Sequence, residues 1–104
     1  MARMISIYKA PDDKDTFDKH YFEVHIPLAK KLPGLRKYDV SKSPIISTTG
    51  DSDTYLIGTL HFDSLDAIKT AFASPQGKDC AADRKILVAD EDKIQIYVFD
   101  TEEV

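Results

Sequence analysis

The sequence predicts an α+β fold with the element order βαββαβ, in a single domain that covers residues 1–104. Short alternating segments, rich in β-branched and aromatic residues, are typical of strands and occur at four places along the chain. Stretches of helical periodicity follow the first and third of them. This order is that of the ferredoxin-like arrangement, in which one antiparallel four-stranded sheet carries its helices on one face.

The four predicted strands are set apart by alternation and by the turn residues around them. They span Met4–Lys9, Leu35–Lys42, Tyr55–Phe62 and Lys93–Phe99. The third is the most apolar, and Gly58 inside it indicates a bulge or a close backbone approach. Segment 41–53 is rich in Ser, Thr, Gly, Pro and Asp, so we expect a mobile loop there and a candidate lid over a pocket.

The predicted helices begin at recognisable caps. An aspartate between positions 12 and 15 caps the first, and Pro33-Gly34 ends it. Its apolar stripe consists of Phe17, Tyr21, Val24 and Leu28. Ser64 caps a second helix over Leu65–Ala73, and Ser74-Pro75 begins a third that runs to about Ala89.

Both faces of the predicted sheet are apolar. In the fourth strand, Tyr97 and Phe99 point away from the face formed by Ile94, Ile96 and Val98. Helices cover only one face, and a bare apolar face of this size usually marks an interface. We therefore expect a homodimer in which two sheets pack face to face.

Charge and composition exclude several classes of function. A net charge of −4 and a pI of about 5.2 give the chain no attraction to nucleic acid or to an anionic membrane. The single cysteine, Cys80, excludes an internal disulfide and a Cys-based metal site, and we expect it to be a small packing residue. The sequence has no secretory pattern and no apolar run near the 18 or so residues of a membrane span, so we expect a cytoplasmic protein.

Several motifs resemble the EthD-like family, and together they cover nearly the whole chain. They are His25-Ile26-Pro27-Leu28, Leu32-Pro33-Gly34-Leu35, Phe62-Asp63-Ser64, Ser74-Pro75-Gln76-Gly77 and Ala82-Asp83. The resemblance implies a dimeric α+β barrel. The family is named for a member linked to ether degradation, and the wider barrel group includes cofactor-free monooxygenases, lactone isomerases, dehydratases and haem-binding enzymes. Fold alone does not choose among these activities.

His25 is the candidate catalytic residue, because it matches the histidine of that family. It lies at the edge of the apolar stripe of the first helix, and Pro27 removes an amide that this helix needs, so we expect a break or kink just past His25. A neutral imidazole at the margin of an apolar pocket can act as a general base near neutral pH.

The candidate ligand-binding residues are four tyrosines, which supply rings and hydroxyls, and one further histidine. They are Tyr8, Tyr21, Tyr38, Tyr55 and His61. His61 shares a strand face with Tyr55 and Ile57, which would point into the barrel, whereas we expect His20 to be solvated. His20 and His25 have the wrong spacing for a shared metal, so we predict neither a metal nor a cofactor, although haem ligation by His25 stays open.

The leading functional hypothesis is a cofactor-independent enzyme of the isomerase, dehydratase or monooxygenase type. It would act on a small, mostly apolar, oxygenated compound, with His25 moving a proton and tyrosines orienting the substrate. The alternative is a non-catalytic binding or accessory dimer that supports a partner oxygenase. No feature of the sequence separates the two.

Overall fold

A four-stranded antiparallel sheet forms one layer, and helices lie along one of its faces. The structure is a computed structural model that describes residues 1–104. Its elements are β1 (Ala2–Lys9), α1 (Lys14–His20), a π-helical turn (Tyr21–His25), α2 (Ile26–Ala29), β2 (Lys37–Val40), β3 (Thr54–Phe62), α3 (Leu65–Ala73), α4 (Pro75–Leu87), a short 3₁₀ turn (Glu91–Lys93) and β4 (Ile94–Asp100). The sheet order is β2-β3-β1-β4, which confirms the expected α+β, ferredoxin-like fold.

The helix caps follow the sequence closely. Asp13 caps α1 by accepting from the amide of Thr16, and Ser64 and Ser74 cap α3 and α4. Between these last two helices, Gly77 has no room for a side chain, because a Cβ there would lie 2.4 Å from the carbonyl oxygen of Ala71. The glycine therefore lets α4 pack directly against the end of α3.

Of the break or kink expected just past His25, the break is wrong, because the chain stays helical to Ala29, although the helix is distorted up to that residue. The turn before it widens instead, and the amide of Ile26 donates to the carbonyl of Tyr21, five residues back. Pro27 has no amide to offer Glu23, and this wider turn lets the helix pass the proline without a break. Tyr21 and His25 are both buried, and their rings stack with centroids 5.6 Å apart.

The core lies between the sheet and the helices, in two neighbouring clusters. The larger includes Leu60, Phe62 and Ile68, and the smaller contains Tyr8, Phe17, Tyr21 and Leu56. No helix of the chain is both long enough and apolar enough to cross a membrane.

One residue leaves the sheet face on which the alternation places it. The register between β1 and β3 shifts at Tyr8 and Lys9, so that Tyr55 is the extra residue of β3 there. A bulge of this kind turns two successive side chains toward the same side. Tyr55 accordingly packs its ring against Phe17 of α1, whereas His61 stays on the open face.

Candidate functional site

A small cavity lies between the helix-covered face of the sheet and the helices. Its volume is about 30 Å³, which is the space of one or two water molecules. Most of the wall is apolar, with contributions from β1, β2, β3 and the helices. The wall residues with polar or titratable groups are Ser6, Tyr8, His25, Tyr38, Cys80 and Arg84.

A buried carboxylate holds His25 in place. Oδ2 of Asp83 on α4 lies 2.9 Å from Nδ1 of His25, and Oδ1 of the same carboxylate lies 2.8 Å from Nε2 of His20. Because a carboxylate only accepts, each histidine donates from the nitrogen that faces Asp83. Nε2 of the neutral His25 ring is then the unprotonated nitrogen, and no protein group bonds to it. His25 therefore presents a proton acceptor at the cavity wall.

Burial and the carboxylate act on His25 in opposite directions. Burial lowers the pKa of His25 and is the larger effect, while the hydrogen bond and the negative charge of Asp83 raise it. The pKa of His25 is lower than its ordinary value as a result, so the ring is neutral near neutral pH. Once His25 accepts a proton, the adjacent carboxylate stabilises the imidazolium.

Two tyrosine hydroxyls form a pair beside the cavity. The hydroxyl oxygens of Tyr21 and Tyr38 are 2.6 Å apart, and Tyr38 is the one that lines the cavity. Gly58 makes room for the pair, because a Cβ at that position would lie 2.7 Å from the Tyr21 hydroxyl. The group that approaches Gly58 is therefore a side-chain hydroxyl and not the backbone of another segment.

The donor in this pair follows from burial. Tyr21 is fully buried, and Tyr38 is the only hydrogen-bond partner of its hydroxyl. A buried hydroxyl hydrogen without an acceptor is costly, so Tyr21 donates and Tyr38 accepts. The hydrogen of Tyr38 is then free to donate to another group. Burial raises the pKa of Tyr38 to about 12, so Tyr38 is a neutral donor at neutral pH.

The structure brings some of the candidate residues together and leaves others apart. His25, Tyr8 and Tyr38 line the cavity, and Tyr21 contacts both His25 and Tyr38 from behind the wall. The remaining two lie outside it. The hydroxyl of Tyr55 donates to Asp18, and His61 bonds to Asp39 on the open face of the sheet.

The solvated position expected for His20 is wrong, because its ring is only 27% exposed and bonds to Asp83. Sequence reasoning missed Asp83 as a functional residue. The available signal was an acidic side chain three residues after Cys80 and four before Leu87, which places it at the edge of the apolar stripe of α4. Asp83 is 6% exposed, which an aspartate tolerates only with partners such as these two histidines.

Two further expectations concern the surroundings of the cavity. No residue of segment 41–53 lies on its wall, so the structure gives the proposed lid no support. The structure contains no group of three or more His, Cys, Asp or Glu side chains arranged to hold a metal ion. Around Asp83, each histidine faces a different carboxylate oxygen, so the two rings do not converge on one point.

Several solved structures of low sequence identity share this fold. A hydroxynitrile lyase from Passiflora edulis superposes with a TM-score of 0.75 at 12% identity, covering 99% of this chain and 94% of that one. SnoaB, a cofactor-independent oxygenase from Streptomyces nogalater, has a TM-score of 0.69 at 14% identity, covering 99% of this chain and 94% of that one. A dimeric protein of ferredoxin-like fold from Bacteroides fragilis has a TM-score of 0.65 at 21% identity, covering 96% of this chain and 95% of that one. At these identities the likeness concerns the fold alone.

Closer relatives identify the family. A protein encoded in the thcB-thcC intergenic region of Rhodococcus erythropolis is 34% identical over 83 residues, which are 80% of this chain and 80% of that protein. The crystal structure of an EthD family protein from Bacillus halodurans has a TM-score of 0.87 at 29% identity, covering 98% of this chain and 99% of that one. The sequence model of the EthD domain matches residues 9–92. This chain belongs to the EthD family.

Proposed function

We propose that this protein is a small-molecule-binding enzyme that moves a proton with His25 as general base, as a homodimer and without a cofactor. Its substrate is a small, mostly apolar organic compound that carries an oxygen. The chemistry is proton abstraction next to a carbonyl, as in an isomerisation or a dehydration, or as the first step of an oxidation by dioxygen. One observation carries the proposal: His25 lines an apolar cavity with its Nε2 unbonded, while buried Asp83 accepts from Nδ1.

The base half of the mechanism rests on the pair of His25 and Asp83. The neutral ring takes the substrate proton on Nε2, and the negative charge of Asp83 stabilises the imidazolium that forms. Asp83 also fixes the ring orientation, so the free nitrogen does not rotate away from the cavity. In this mechanism His25 is the catalytic residue and Asp83 is a positioning residue.

The electrophilic half rests on Tyr38. Abstraction of a proton next to a carbonyl places negative charge on the carbonyl oxygen, and a prepared donor stabilises that charge. Tyr38 has a free hydroxyl hydrogen because its oxygen already accepts from Tyr21. Tyr38 and His25 lie on the wall of the same cavity. We therefore assign Tyr38 to the developing oxyanion, with Tyr21 holding it in position and Tyr8 contacting the substrate.

Two fold neighbours with named activities support a proposal of this kind. One is named as a cofactor-independent oxygenase and the other as a hydroxynitrile lyase. Their identity to this chain is too low to transfer a substrate. They support the reaction class only, and the EthD membership leaves the same range open.

The first test is a search for a ligand followed by substitution of the base. A thermal-shift screen of small phenols, quinones, lactones and acids identifies a binder, since a ligand at a hundredfold excess over its Kd stabilises the fold by about 2.7 kcal/mol. We expect His25→Asn to abolish turnover of that ligand and to leave the melting temperature nearly unchanged. Asparagine can still bond to Asp83 but cannot take up a proton near neutral pH.

The matched control is Glu23→Gln, because Glu23 lies on the same helical turn and is exposed. His20→Asn does not serve as a control, since it removes a partner of Asp83. A His25→Asn variant that reacts like the wild type would contradict the proposal. Ligand binding without turnover by the wild-type protein would instead favour the accessory role, in which the dimer delivers a metabolite to an oxygenase.

A further inference from the structure

Arg84 is the only lysine or arginine on the cavity wall, and it has no partner in the chain. The other two arginines are engaged: Arg3 donates to a backbone carbonyl, and Arg36 forms a forked pair with Asp63. Arg84 makes neither a hydrogen bond nor an ion pair, although its side chain is partly buried. Its guanidinium nitrogens reach solvent, since no buried side-chain nitrogen of the chain lacks a partner, so its five donors are open to a ligand.

The nearby acidic residues do not supply a partner. Asp83 precedes Arg84 on α4, but its two oxygens already accept from His20 and His25. Glu91 lines an outer recess together with Arg84 and forms no ion pair with it. No acceptor of the protein therefore competes with an anionic ligand for Arg84.

The position of Arg84 indicates which part of a ligand would meet it. Its side chain borders both the inner cavity and the outer recess, which holds about 210 Å³ and is also lined by Lys85, Val88 and Ile94. The guanidinium thus lies between the surface and the chamber that contains His25. A ligand with its charged end at Arg84 would extend its apolar part toward His25 and Tyr38.

We propose that Arg84 binds a carboxylate of the ligand and that the protein selects small apolar monocarboxylates. The forked donors of a guanidinium match the two oxygens of a carboxylate, which gives both charge neutralisation and orientation. Burial lowers the pKa of His25 and raises that of Tyr8; the positive charge of Arg84 adds to the first shift and opposes the second, as expected for a cation close to both. The inference rests on the proposed function in one respect, that the cavity is the ligand site.

The test compares matched anionic and neutral probes. Propionate, butyrate and benzoate are titrated against the corresponding primary amides, and binding is followed by the shifts of backbone amide signals around the cavity. We expect each carboxylate to bind about ten-fold or more tightly than its amide. Arg84→Gln should abolish that preference by weakening carboxylate binding alone. Lys78→Gln, on the exposed side of the same helix and outside both the cavity and the recess, should retain it.

Equal affinity of acid and amide, or an undiminished preference in Arg84→Gln, would overturn the assignment. If Arg84→Gln does not fold, Arg84→Lys keeps the charge and removes the fork, and we expect it to weaken carboxylate binding without affecting the amides. The two proposals fail separately. If carboxylates bind in a way that depends on Arg84 but are not turned over, the proposed enzymatic function is wrong and the carboxylate site stands. If neutral compounds are turned over by His25 and Arg84→Gln has no effect, the carboxylate site is wrong and the enzymatic function stands.

Discussion

At Gly58 the absence of a side chain leaves room for the hydroxyl of Tyr21, which is remote in sequence but close in space. We expect Gly58→Ala to displace the Tyr21 hydroxyl, because the new methyl group would lie 2.7 Å from it. Overpacking and a broken buried hydrogen bond should together cost about 1–3 kcal/mol. Chemical denaturation measures this loss.

The matched control repeats the substitution in a Tyr21→Phe background, where no hydroxyl is present to collide with the methyl group. The cost of Gly58→Ala should be clearly smaller there, as a double-mutant cycle shows. An equal cost in both backgrounds would mean that Gly58 matters for a reason other than this hydroxyl.

His25 also makes a testable contribution to the pH dependence of stability. Its pKa in the folded protein is lowered from 6.5, chiefly by burial, so the unfolded chain binds the proton more tightly. The contribution of His25 to stability is therefore fully present above that value and is lost as the pH falls below it. Titration of the ring signals by NMR should give a midpoint below 6.5, and Asp83→Asn should lower it further. A midpoint above the ordinary value would contradict this balance of effects.

At the scale of residues the sequence predicts positions better than partnerships. His25 could be nominated from its place on the helix and from its family motif. Its bond to Asp83 joins residues 58 positions apart, and periodicity describes only neighbours along one element. Tyr55 was misplaced for a related reason, since the bulge that turns it toward α1 has no marker in the alternation of β3.

Among the elements, the segment 41–53 differs most from its surroundings. No amide between residues 42 and 52 donates to a backbone carbonyl, whereas β3 is paired on both sides. Apart from the two termini, we expect this segment to show the fastest amide hydrogen exchange in the chain, measured by mass spectrometry or NMR. Since the segment does not border the cavity, a ligand bound in the cavity should leave the hydrogen exchange of the segment unchanged.

Protection equal to that of β3 would show that the segment is ordered by contacts absent from a single protomer. Slower exchange with ligand would restore the lid expected from its composition. Composition alone identifies a loop, because glycine, proline and serine disfavour regular structure. The place where such a loop docks depends on the elements around it.

At the scale of the whole molecule, a single protomer exposes more surface than its size requires. Its accessible surface is 6969 Å², roughly 1,000 Å² more than a monomer of this mass usually has. The open sheet face contributes large apolar residues, and Tyr97 and Phe99 on it are 50% and 38% exposed. One partner of a stable complex buries about 800 Å², so pairing of two sheets accounts for the excess.

We therefore expect a homodimer in sedimentation velocity experiments at micromolar concentration. Tyr97→Glu should dissociate it, because pairing would bury an unpartnered charge. Ile86→Glu is the matched control, since Ile86 is 71% exposed on the helix side and should not affect assembly. A wild-type protein that sediments as a stable monomer of 11.7 kDa would contradict the prediction.

The element order was accessible from the sequence because each strand and helix carries its own periodicity. The cavity was not accessible in this way. Its wall is assembled from side chains of three strands and of helices that come before β2 and after β3 along the chain. Packing of the helices onto the sheet creates that space, and local patterns do not contain it.

The size of the cavity has a consequence for the kinetics of binding. A dry cavity that holds benzene measures about 150 Å³, several times the 30 Å³ between the sheet and the helices. A ligand of the proposed class therefore cannot enter until the wall of the cavity moves apart. Opening precedes association, so the observed rate of binding must level off as ligand concentration rises. Its limiting value is the rate at which the protein opens on its own.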